Sequence, residues 1–179
     1  TTLPSSTGPI LGTAAQLQSR PVWIGNTPAW IDRFFSADVI PPAVFAGFHW
    51  VTGLPYWGED VPGMDDFLAT WKAHGKDLGD KDSYIFMSYL AGLVQMEVLR
   101  RAIESGDLSR DGFTRAMHTV ESWNANGLIQ PIDLSDVPYR TSLRTRILAP
   151  DMAHSTWTLV ADYAEPLTSV AASPGAGDR

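Results

Sequence analysis

Pro21-Val22-Trp23-Ile24-Gly25-Asn26-Thr27-Pro28 is the stretch that decides the fold. Val22, Trp23 and Ile24 form a short strand-like run that stops at Gly25-Asn26. Thr27 is a good N-cap and Pro28 suits the first helical position, so a helix is expected to start directly after the strand. Such a junction puts free backbone N–H groups and small polar side chains at the carboxyl end of a strand. Open α/β sheets bind ligands at that edge. An ordinary helix start accounts for the same residues, and both readings stay open at this point.

Working outward, four segments carry a helical period. The first has Ser5, Ser6 and Thr7 as cap candidates, with Ile10, Leu11, Ala14 and Leu17 on one face. The second runs from Val61 to His74, with Met64, Phe67, Leu68 and Trp71 in its stripe and Asp65-Asp66 favouring its N-terminal dipole. The third spans Tyr84 to Glu104 and is apolar on most sides. The fourth follows Ser109 and turns Phe113, Ala116, Met117 and Val120 inward. A second strand is expected over Val44–Val51, and Leu128–Ile132 reads as an edge strand. Arg144–Ala149 and Ser155–Ala161 read as a late antiparallel pair. The order of elements implies an α/β fold, a three-layer sandwich whose mostly parallel sheet is covered on both faces.

Composition narrows the function. The chain has 179 residues, of which 44% are hydrophobic and 18% charged, so a folded domain with a sizeable core is expected. Lys and Arg number 13 against 20 Asp and Glu, a net charge of −7 that argues against nucleic acid as a partner. Cysteine is absent, which removes disulfides, thiolate metal sites and cysteine nucleophiles. The sequence has no apolar run long enough for a membrane span and opens on Thr1-Thr2-Leu3-Pro4 without Met or a signal-peptide pattern. A processed or excised piece is therefore expected. Residues 166–179, rich in Ser, Ala, Gly and Pro, read as a loose tail after a domain over residues 1–165.

Few residues point to reaction chemistry. His49, His74, His118 and His154 lie far apart without metal-ligand spacing, so no metal is expected. The acid pairs Glu59-Asp60 and Asp65-Asp66 fit helix starts better than a two-carboxylate hydrolase. Gly-x-Ser-x-Gly, P-loop and dinucleotide fingerprints are absent. Aromatics are the remaining oddity. Trp50, Tyr56 and Trp57 sit at or after a strand end in a Gly/Pro-rich loop, where such rings wall pockets, although core packing explains them as well.

Ser6-Thr7-Gly8, Gly12-Thr13-Ala14-Ala15 and Pro21–Pro28 occur in an order, with Phe67, Tyr84, Ser88-Tyr89, Leu99, Ala102 and Leu108–Phe113, that resembles a known family. It is that of the solute-binding proteins of branched-chain amino-acid ABC transporters, with the type I periplasmic-binding fold. The resemblance covers residues 3–165 and matches only the C-terminal half of a family member. It implies one lobe of a clamshell, with the N-terminal lobe present as a separate chain or lost by cleavage. It implies an exported protein, periplasmic or extracellular and possibly lipid-anchored through the missing part, that delivers a small solute to a membrane permease without catalysis or cofactor. Where amino-acid-binding members carry an acid for the ligand ammonium and an aromatic before the first helix, this chain has Thr27 and Leu3. Thr27 lacks the charge a buried ammonium needs, so a neutral or anionic solute is expected. The expected ligand-binding set is Leu3, Asn26, Thr27, Trp30, Trp50, Tyr56, Trp57 and Tyr84. A sensory domain of the same fold is the alternative, and a small α/β enzyme a more distant one.

Overall fold

A computed structural model describes residues 2–37, 40–135 and 144–165. The tail expected over 166–179 lies outside the described residues. Helix α1 spans Pro4–Gln16, with Pro4 in the first turn, where its fixed φ and missing N–H cost nothing. Ser5, Ser6 and Thr7 thus lie inside the helix rather than capping it, and the Thr7 hydroxyl donates to the Leu3 carbonyl at 3.1 Å. Of the expected stripe only Leu11 is buried, while Ile10 and Leu17 are exposed.

Strand β1 is Trp23–Asn26, and β2 is Phe48–Thr52. Between them the chain makes three short 3-10 turns, Thr27–Ala29, Asp32–Phe35 and Pro42–Phe45. The helix expected at Thr27-Pro28 is therefore a single 3-10 turn, ended by extended backbone at Trp30. The strand expected from Val44 begins only at Phe48, because Val44 and Phe45 belong to a 3-10 turn.

Helix α2 is Met64–His74, α3 is Ser83–Ser105 and α4 is Arg110–Met117. Asp82 caps α3 by accepting from the Tyr84 N–H at 2.7 Å, Gly106 closes it in the left-handed region, and Ser109 caps α4. The Leu128–Ile132 segment is not a strand. Positive φ values at Ala125, Asn126 and Gly127 turn the chain, and an antiparallel bridge joins Trp123 to Ile132. Strands β3, Thr145–Asp151, and β4, Thr156–Ala164, form the late hairpin.

The four strands form one sheet in the order β1-β2-β3-β4. β1 and β2 are parallel, whereas β2–β3 and β3–β4 are antiparallel, so the described sheet is mixed rather than mostly parallel. The short turn over residues 152–155 can join β3 and β4 only as antiparallel neighbours, and β3 also adds to β2 antiparallel. Alternation along β2 buries Phe48, Trp50 and Thr52 on one face. In register with them, Leu148 lies opposite Trp50 and Arg146 opposite Thr52. Among the described residues the other face is open, with Ile24 75% exposed.

Two clusters of buried side chains result. Leu11, Trp30, Phe34, Phe35, Phe45, Phe48, Trp50, Leu148 and Trp157 pack on the inner sheet face. Met64, Phe67, Phe86, Leu90, Val98, Ala102 and Leu128 knit α2, α3 and α4 together with the loop that follows. The interface between these clusters is where the candidate site lies.

Candidate functional site

The carboxyl ends of the parallel pair β1 and β2 meet at this interface. Thr27, immediately after β1, and Thr52, the last residue of β2, bring their hydroxyls to 3.5 Å. The Trp50 indole N–H is shared between the carbonyls of Asn26 at 3.1 Å and Thr27 at 3.2 Å, which fixes the backbone of the strand end. From the helical side, Tyr84 Oη donates to the Pro28 carbonyl at 2.7 Å. Below the loop, Arg146 pairs with Glu59 and reaches the Leu54 carbonyl at 3.2 Å. Its guanidinium lies 5.7 Å from the ring centre of Tyr56 and 4.9 Å from that of Tyr163. Glu59, read in the sequence as half of an acid pair at a helix start, instead serves as the partner of this cation.

Thr27, Trp50, Tyr56 and Trp57 line one small cavity of about 10 Å³. That volume admits one water-sized group. Asn26 faces a different groove, about 470 Å³, between α1 and β1. Tyr84 also lines an apolar groove of about 490 Å³ between α2 and the start of α3. Leu3 precedes α1 and is exposed. Trp30 has no solvent exposure, its ring packed against Phe34, Phe35, Phe45, Phe48 and Trp157. Trp50 is 3% exposed and stacks on Trp157 at 4.7 Å. These two indoles are core residues in this conformation, whereas Tyr56 and Trp57 are partly buried.

The residues absent from the sequence-based set are Asp32 and Ser83. Both line this small cavity, and Asp32 Oδ2, Ser83 Oγ and Trp30 Nε1 are buried without a hydrogen-bond partner. Burial, and then the charge of Asp82, push the Asp32 carboxyl up from 3.8 to about 6. The Ser83 backbone N–H, the Trp30 indole and Lys81 act in the opposite direction, although the indole N–H approaches the carboxyl without full hydrogen-bond geometry. The sequence does hold a signal for this acid: it sits alone between Trp30-Ile31 and Phe34-Phe35, in an otherwise apolar run broken only by Arg33.

Among the described residues, no group of three His, Cys, Asp or Glu side chains is placed to hold a metal ion, and no helix is long and apolar enough to cross a membrane. No family model matches the sequence. No curated protein matches it either. Solved structures do match. A fatty acid ABC transporter substrate-binding protein from Thermomonospora curvata superposes over 92% of this chain with a TM-score of 0.77 and 22% identity. The chain has the type I periplasmic-binding fold. A branched-chain amino acid ABC transporter protein from Thermus thermophilus with bound valine matches 88% of the chain, with a TM-score of 0.71 and 17% identity. A leucine-binding protein from Thermotoga maritima matches 92%, with a TM-score of 0.61 and 15% identity. The chain spans only 42%, 42% and 43% of these three structures, the extent of one lobe.

Proposed function

We propose that this chain is one lobe of the extracytoplasmic solute-binding component of an ABC importer. The observation that carries the reading is the match over 92% of the chain to a substrate-binding protein of such a transporter. The lobe binds its solute non-covalently in a cleft completed by an N-terminal lobe, closes by hinge motion and presents the solute to a membrane permease. No residue needs to react, and the protein acts without enzymatic turnover or cofactor.

The chemistry at the end of β1 supports a solute without a free ammonium. Thr27 there offers a hydroxyl and its 3-10 turn offers backbone groups, neither of which carries the formal charge a buried cation requires. A carboxylate, an amide or an aromatic acid suits these groups. Tyr56 and Trp57 supply the adjoining apolar wall, and the other residues of the expected set, Leu3, Asn26, Trp30, Trp50 and Tyr84, position or extend it. Titration calorimetry on the complete two-lobed protein with a fatty acid, an aromatic carboxylate and leucine tests the reading. Binding of one of the acids without leucine is the expected result. Strong, saturable leucine binding would overturn the solute class while leaving the transport role intact.

A further inference from the structure

We propose that Asp32 and Ser83 form the hydrogen-bonding end of the solute site, and that the solute they receive is an acid carrying a hydroxyl group. The inference rests on reading the end of β1 as the solute site and narrows the class of solute bound there. Asp32 opens the 3-10 turn that follows Trp30-Ile31, and Ser83 opens α3. The fold brings both to the small cavity that Thr27, Trp50 and Tyr56 also line. Ser83 is 8% exposed, and its Oγ and Asp32 Oδ2 are buried without a hydrogen-bond partner among the described residues. Leu54, Phe86 and Trp157 surround them with apolar wall.

The size and chemistry of the cavity select the group that meets these two atoms. Its volume of about 10 Å³ takes one water-sized group, which a hydroxyl is. A hydroxyl can donate to Asp32 Oδ2 while its oxygen accepts from Ser83 Oγ, so one group satisfies both. Turning the Ser83 hydroxyl onto an ionised Asp32 does not close the site. The Ser83 oxygen then keeps its lone pairs and the carboxylate keeps further acceptor positions, so the cavity still offers acceptors to a donor. A carboxylate in the same place would meet the charge of Asp32, to which Asp82 adds. An ammonium brings three donors to these two unmet acceptors and leaves one buried without a partner. The acid group of the solute therefore lies away from Asp32. Its apolar body lies against Tyr56 and Trp57, which are partly buried.

Titration calorimetry on the complete two-lobed protein tests this with phenylacetate, 4-fluorophenylacetate and 4-hydroxyphenylacetate. It is run at pH 8, above the value of about 6 at which Asp32 titrates. The three probes share an acid group and a ring, and only the last can donate at its far end. The expected result is binding of 4-hydroxyphenylacetate at least about tenfold tighter than the other two, the effect of one hydrogen bond to a charged acceptor. Asp32→Asn and Ser83→Ala should each reduce that preference to within about threefold. Equal binding of the three acids, or a preference undiminished in either variant, overturns the inference and leaves the solute-binding reading intact. No binding of any of them overturns the reading of this site as well.

Discussion

The phenol of Tyr84 is bonded to the backbone carbonyl of Pro28, at 2.7 Å across 56 positions of sequence. This bond ties the first turn of α3 to the turn that follows β1, and thus joins the two packed clusters where the candidate site lies. Tyr84→Phe keeps the ring and deletes the bond. A hydrogen bond of this kind contributes about 1 kcal/mol net, and its loss leaves the Pro28 carbonyl without this partner. For a domain of this size the expected fall in melting temperature is about 2–4 °C. Urea denaturation should show a lower midpoint with an unchanged slope, since the surface exposed on unfolding does not change.

Local signals read well from the sequence where they were strong and redundant. The apolar run through Tyr84–Glu104 and the cap at Ser109 correspond to α3 and α4 almost residue for residue, whereas the Asp82 cap of α3 went unread. The late hairpin was legible too, as two runs of β-formers, although Ser155, read as the start of the second run, takes positive φ in the turn between them. Aromatic content was ambiguous. Trp30, Trp50, Tyr56 and Trp57 look alike in sequence, yet only their tertiary neighbours separate core indoles from partly exposed ones. Strand pairing was least legible, since the register that puts Arg146 opposite Thr52 depends on partners nearly a hundred residues apart.

Arg146 and Glu59 should behave as one unit. Arg146 is 5% exposed and Glu59 accepts from it and, at 3.0 Å, from the Tyr56 N–H. Arg146→Met leaves a carboxylate with no cation at a mostly buried position, a change that costs about 3–5 kcal/mol. The double variant Arg146→Met/Glu59→Gln removes both charges and should lose less than the sum of the two single changes. A double-mutant cycle by chemical denaturation measures that coupling, and strict additivity would count against the pair acting together.

Asp32 should make the chain more stable in acid than the usual carboxylate pattern allows. Its folded-state value of about 6 lies above the 3.8 of the unfolded chain, so folding favours the neutral form. The stability this confers is complete below about pH 4 and is lost as the pH rises through about 6. Asp32→Asn cannot ionise. The variant should match the parent's pH dependence near pH 4 apart from a constant offset, and gain on it by at most about 3 kcal/mol by pH 7. Thermal melts of the two proteins at pH 4, 5, 6 and 7 check the sign, and a gap that stays constant with pH would contradict it.

Gly25 reports whether β1 is packed on the face assigned to it. A Cβ added there would lie 2.6 Å from Phe48 Cζ and 3.1 Å from the Cβ of Ala29. The Phe48 ring is poorly free to retreat, because it packs at 5.6 Å from Trp30 and 6.0 Å from Phe45. Gly25→Ala is therefore expected to destabilise by about 1–3 kcal/mol, the range for overpacking a filled core. Phe48→Leu in the same chain shortens the obstructing side chain, so the second substitution should cost less in the Gly25→Ala background than alone. One position earlier, Ile24 points to the open face and is 75% exposed, so in the isolated chain Ile24→Thr should change stability by no more than about 0.5 kcal/mol. Equal costs at positions 24 and 25 in urea melts would mean that the strand is turned over or covered on both sides. A large cost at Gly25 alone, relieved by Phe48→Leu, fits the register in which Gly25 lies beside Trp50 and Trp23 beside Phe48.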